Sequence, residues 1–284
     1  MKKNNLLLSF RIGYLLCSVG AAILQSLAVL FSYGNSEHYF ANGDPLSIAA
    51  IAFAFLSVAL GVASILLSEK NNVCPCIFSR ASFPNPLAGG AVAAALLFGG
   101  YRFLASGYER TLSPFDLLLI LCLLLTTAYA VLSGMQKAGG RITLTAFFGL
   151  FAIVACILLN AYYYFDTSIE MNAPLKTSVQ VGLLFTMLYL TGEIRYLLGT
   201  QMPRMMQLFA VCTVSFGSLC AIAVPVAFFT GKLSRPDYLA GALLVLGAIP
   251  TAILRLHTLA YPPKSISNET DTKTIDDNTG KDQA

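Results

Sequence analysis

Eight predominantly apolar stretches recur along the chain, at roughly 11–32, 46–67, 87–105, 115–133, 142–164, 175–197, 206–229 and 238–259. Each runs to about twenty residues, the length that crosses a hydrocarbon core of about 30 Å as an α-helix. A lone strand in the same place would leave its backbone N–H and C=O groups unpaired in lipid, so helices are required. The sequence therefore predicts an all-α polytopic membrane protein of eight spans. Composition agrees: 56% of the 284 residues are hydrophobic and 11% charged, whereas a soluble domain carries about 25% charged residues. Most of the surface of such a chain must face lipid.

The opening residues could pass for a signal peptide, with Lys2 and Lys3 ahead of an apolar run. The run Ile12–Phe31 exceeds a signal-peptide core of about 7–15 residues, so it reads as an uncleaved first span. At the other end, 261–284 has almost no large apolar residue after Tyr261. Such a segment buries too little surface to order itself, which predicts a disordered tail. The net charge of +4 is modest and its basic residues are scattered. Without a basic stripe, nucleic acid is not an expected partner. The bilayer is, along with another membrane protein or a second copy of the chain.

Lysine and arginine set the expected orientation. With the N-terminus cytoplasmic, 13 of the 18 basic residues fall on that side, including Lys70, Arg80, Lys137, Arg141 and Arg204. Five fall opposite: Arg102, Arg110, Lys176, Lys232 and Arg235. The bias predicts that both termini are cytoplasmic, and short loops without a targeting signal suit a bacterial cytoplasmic membrane.

The helix starts repeat. Leu112-Ser113-Pro114-Phe115-Asp116 and Leu233-Ser234-Arg235-Pro236-Asp237 match at a shift of 121, and Pro45-Leu46 meets Pro174-Leu175 at 129. Tyr33 meets Tyr162 at the same shift, and Arg11-Ile12 meets Arg141-Ile142 at 130. Good capping chemistry could write these motifs independently. Three pairs agreeing in order instead favours duplication. The expected organisation is a first half, 1–134, a second half, 135–260, and the tail, 261–284. With four spans each, the halves insert the same way up, as a parallel repeat about the membrane normal.

Charge within a span is the usual pointer to function. Glu193 and Arg195 lie within the end of span six. Two residues apart on a helix they do not face each other, and interfacial snorkelling is the favoured reading. At shift 129 their counterparts are Ser64 and Leu66, so a charged departure from the repeat marks Glu193 for attention. Arg102, Arg255 and His257 read as interfacial anchors. On the outer face, His38, Asp116 and Asp237 stand with Glu37, Asp44, Glu109, Asp166 and Glu170. Such a set could do acid–base work or hold a divalent cation, although capping accounts for Asp116 and Asp237, and turns for Asp44 and Asp166.

The remaining features read as packing. Cys17, Cys122, Cys156, Cys212 and Cys220 sit within apolar runs as small hydrophobes. Cys74 and Cys76 lie in a polar loop and fall short of a four-ligand metal site. Pro225 and Pro250 should bend spans seven and eight. The stretch 87–100, rich in Gly and Ala, suits close helix approach. No nucleotide, metalloprotease or serine-hydrolase motif occurs, and no cofactor is called for. The functional reading ranks a non-catalytic scaffold or regulatory subunit first. A permease for a neutral or apolar solute follows closely, then a membrane enzyme using the outer acidic cluster. A cavity between the halves would favour the permease.

Overall fold

The computed structural model describes residues 2–34, 40, 44–67, 85–105, 112–135, 142–170, 172–198 and 203–260. His38, Cys74, Cys76 and the tail lie outside them, as does the side chain of His257. The described residues form nine α-helices: α1 (Lys2–Ser32), α2 (Pro45–Leu67), α3 (Pro86–Ala105), α4 (Pro114–Met135), α5 (Ile142–Phe165), α6 (Pro174–Leu197), α7 (Pro203–Ala221), α8 (Ala223–Phe229) and α9 (Pro236–Ala260).

Six of these begin at a proline, which fits the first helical turn because its missing N–H needs no partner there. Side chains supply other caps. Asp44 accepts the Ser47 N–H at 2.8 Å ahead of α2. Ser113 and Asp116 cap α4 reciprocally: Asp116 N–H donates to Ser113 Oγ at 3.1 Å, and Ser113 N–H donates to Asp116 Oδ2 at 3.3 Å. Pro225 explains the break between α7 and α8. It cannot donate to the carbonyl of Ala221, where α7 ends, and its ring crowds that carbonyl. The two segments still form one nearly continuous rod. Pro250, by contrast, sits inside an unbroken α9.

Seven of these rods are long and apolar enough to cross a membrane, so this is a multi-pass membrane protein. The exception is α6. It has 24 residues but carries Lys176, Glu193 and Arg195.

Neighbouring helices define two bodies. The first is a circuit of six, in the order α3, α4, α5, α6, α7, α9 and back to α3, with α6 also touching α9. The second is the α1–α2 pair, which lies against α7, with α1 also along α8. The α7–α8 rod is therefore central: 72% of its most apolar stretch is buried inside the protein, against 33% for α2. Glycines permit the closest contact in the circuit. A methyl group at Gly90 of α3 would fall 2.5 Å from the Leu243 carbonyl oxygen of α9, and one at Gly247 would fall 2.9 Å from that of Pro86. Here small residues let two backbones meet.

Candidate functional site

Three features bear on function: a charged network at one end of the six-helix circuit, an ion pair toward the other end, and a cavity beside the α1–α2 pair.

The network forms where α9 starts. Arg235 grips Asp237 with two nitrogens, Nη2 to Oδ2 at 2.5 Å and Nε to Oδ1 at 3.1 Å. Its Nη2 also lies 3.4 Å from Asp166 Oδ2, and Nη1 donates to Ser168 Oγ. The guanidinium stands over the Tyr101 ring at 5.3 Å. Tyrosines close the remaining positions. Tyr162 donates to Asp237 Oδ2 at 2.8 Å, Tyr238 to Asp166 Oδ2 at 2.9 Å, and Tyr163 to the Asp237 carbonyl at 2.7 Å. Burial pushes the loop carboxyl of Asp166 up, but hydrogen bonds from Ser168 and Tyr238 and the Arg235 charge outweigh it, holding Asp166 below its ordinary value. Burial likewise works against the Arg235 charge, and Asp237 reverses it, raising the guanidinium further.

Two lysines and a second arginine extend the network. Lys176 donates to the carbonyls of Asp166 and Ile169, at 2.6 and 3.0 Å. Lys232 donates to the carbonyls of Val29, Leu30 and Tyr33, at 2.8, 2.9 and 3.1 Å, capping the end of α1. Arg102 binds Asp116 at 3.1 Å and lies over the Tyr162 ring at 5.7 Å. Asp116 and Asp237 thus belong to one network through Tyr162, each bound to its own arginine. No group of three or more His, Cys, Asp or Glu suited to a metal ion occurs among the described residues.

Toward the other end, Arg255 Nε of α9 binds Glu193 Oε1 of α6 at 2.8 Å. Glu193 is 0% exposed and Arg255 5%. This overturns the reading of both as interfacial anchors: the guanidinium and carboxylate satisfy each other inside the bundle rather than reaching to water. Arg195 points away and is exposed, as its two-residue offset on the helix requires. Half of the Glu193 carboxylate remains unused. Its Oε2 has no hydrogen-bond partner, and neither do the buried hydroxyls of Tyr129 and Tyr189. Both hydroxyls lie close enough to Glu193 to interact with its carboxylate. Sequence reasoning missed these tyrosines and the partnership with Arg255. The available signal was Tyr189 four residues before Glu193, on the same helix face.

The cavity, of about 360 Å³, lies between α1, α2, α7 and α9. Its walls are mostly apolar, including Leu8, Ile12, Leu15, Ile65, Val211 and Leu256, with polar groups from Arg11, Tyr14, Ser64 and Gln207.

No family model matches the chain, and neither does any curated protein or solved structure.

Proposed function

We propose that this protein is a carrier for an apolar or amphipathic solute. One observation supports the reading most: the cavity of about 360 Å³ is walled by α1 and α2 from the first half and by α7 and α9 from the second. Its size and mostly apolar walls with a few polar groups suit a small-molecule site. Its place, between the α1–α2 pair and the central rod, suits a site that opens when one body moves on the other.

Eight spans, with both termini cytoplasmic in a bacterial cytoplasmic membrane, complete the proposal. The charges of α6 do not argue against spanning, because Lys176 and Glu193 turn inward, where carbonyls and Arg255 compensate them. Its 24 residues reach about 36 Å as a helix. Reporters active on one side of the membrane, fused after the tail and within 198–205, test this; an outward C-terminus would remove the eighth span. The four-helix duplication stands as a proposal on the matched helix starts. The halves use their helices differently, since α3 packs on α9 while its counterpart α7 has no comparable interface with α4.

The scaffold reading is the competing one, and flux separates the two. Purified protein in vesicles should speed the crossing of a head-labelled single-chain amphiphile whose spontaneous crossing is slow. Val211→Phe, which fills the cavity, should slow that crossing. Crossing no faster than in protein-free vesicles would overturn the carrier and leave the scaffold. The enzyme reading is the weakest, because its outer carboxylates Asp116 and Asp237 are already bound to arginines.

A further inference from the structure

We infer that the cavity takes a neutral single-chain molecule whose head both donates and accepts a hydrogen bond, as a hydroxyl or primary amide does, with Gln207 as the head-group residue. The inference rests on the carrier reading of the same cavity and names its substrate class. Gln207 is 8% exposed and forms part of the cavity wall. Its side-chain amide makes no hydrogen bond among the described residues. A buried amide left without a partner is costly, and most such groups in folded proteins are bonded. The other polar groups of the wall are engaged. Ser64 donates its proton to the Gly61 carbonyl at 2.7 Å. Arg11 has an interaction of its own, and it lies close enough to the Tyr14 hydroxyl for its charge to act there.

The amide of Gln207 offers an acceptor and two donors, which selects the head. A hydroxyl or primary amide answers both. A hydrocarbon leaves the amide unmatched. A carboxylate only accepts and an ammonium only donates, so either leaves part of the amide unmatched, and each carries a charge whose burial is costly. The space sets the chain. About 360 Å³ holds about a dozen heavy atoms at roughly 30 Å³ each, the size of one chain of medium length. The apolar lining comes from four helices, so it encloses such a chain on several sides. Gln207 stands in the second turn of α7, and Val211 lies one turn further along the same face. The head therefore sits toward the start of α7, with the chain running inward past Val211.

The absence of tryptophan from the chain provides a clean reporter. Leu15→Trp places one indole on the cavity wall, and Leu118→Trp places a control on an exposed face of α4. Full-length protein in nanodiscs of phosphatidylcholine is titrated with 10-bromodecan-1-ol, 10-bromodecanoate or 1-bromodecane, whose bromine quenches on contact. Amounts are counted as mole fraction in the disc, which removes differences in partitioning. Saturable quenching of the cavity indole by the alcohol is expected at roughly fivefold lower mole fraction than by the other two, the effect of one neutral hydrogen bond. The control indole should show no such preference. Gln207→Met keeps the side-chain volume without the amide, and should bring the alcohol and the bromoalkane to within about twofold. Saturable quenching by the bromoalkane in that variant shows that its cavity still forms. A carboxylate or bromoalkane that matches the alcohol, or a preference that survives Gln207→Met, overturns the neutral head at Gln207 while leaving the carrier reading intact. Saturable quenching by none of the three overturns both, and strong quenching by brominated phosphatidylcholine then identifies bilayer lipid as the occupant.

Discussion

The six-helix circuit and the α1–α2 pair are held by different chemistry. The circuit is fastened by charge: Arg235 joins Asp166 and Asp237, Arg102 joins Asp116, and Arg255 joins Glu193. The pair meets its neighbours through small residues. The face that α2 buries comprises Ala50, Ala54, Ser57, Gly61, Ser64 and Ile65. Hydroxyls cross the seam in a chain, with Ser57 Oγ 2.7 Å from both Ser18 Oγ and Ser215 Oγ. At one end Lys232 holds the last carbonyls of α1; toward the other lies the cavity. Without a hydrophobic drive between helices in lipid, this seam is held by small-residue packing and by hydrogen bonds individually weaker than a buried ion pair. Removing one member of a buried ion pair strands the other, which makes the circuit the costly body to disturb.

The largest effect should come from Arg255→Ala. It leaves the Glu193 carboxylate buried without a counterion, at a cost of about 3–5 kcal/mol. Thermal unfolding in detergent should show this loss, a smaller one for Glu193→Gln, and recovery in the double variant Glu193→Gln/Arg255→Leu. A double variant no better than Arg255→Ala would place the cost in packing rather than charge. Next comes Asp237→Asn, which weakens bonds from Arg235 and Tyr162 and should cost about 2 kcal/mol. Both changes should lower stability without altering ligand selectivity.

Seam variants should behave the opposite way. A methyl group at Gly61 would overlap Val211 Cγ1, so Gly61→Ala should cost about 1–2 kcal/mol by overpacking and also change ligand binding, because Val211 lines the cavity. Ser57→Ala should cost only about 0.6 kcal/mol, the average for a hydrogen bond between membrane helices. If Ser57→Ala were as damaging as Asp237→Asn, the contrast between the two bodies would fail.

The smallest effect is that of pH on Asp166. Its folded value lies below the ordinary 3.8, so its contribution is fully present above that value and fades as pH falls through it toward the lower folded value. The difference in melting temperature between wild type and Asp166→Asn should be visible at pH 7 and shrink as pH is lowered past 3.8. A difference that grows on acidification would reverse the assignment.

Much of the architecture was legible because lipid imposes a length and prolines mark helix starts. The close approach at Gly90 follows from the Gly- and Ala-rich stretch that contains it, and the Ser113–Asp116 cap from its spacing. The inward faces were not legible. A helix that is apolar on nearly every side gives no stripe from which to read its register. Nothing local to Glu193 therefore announces Arg255, 62 residues away. The matched start at Asp237 shows a subtler limit. Asp116 pairs with Ser113 and takes its arginine, Arg102, from α3, whereas Asp237, in the same motif, is bound by Arg235 from within the motif itself. Two residues apart cannot face each other along a helix, but Arg235 precedes α9, and the bend into the helix brings its guanidinium back onto Asp237.

The central claim is that the α1–α2 pair moves against a circuit that stays fixed, with the cavity at the seam. Spin labels on Leu66→Cys of α2 and Leu198→Cys beside α6, in a cysteine-free background, measure the distance across the seam. Labels on Leu124→Cys of α4 and Leu198→Cys measure the circuit. On adding decan-1-ol in nanodiscs, the seam distance should gain or lose a population while the circuit distance stays unchanged. A ligand that binds with both distances unchanged, or that shifts the circuit while the seam holds, would contradict the account.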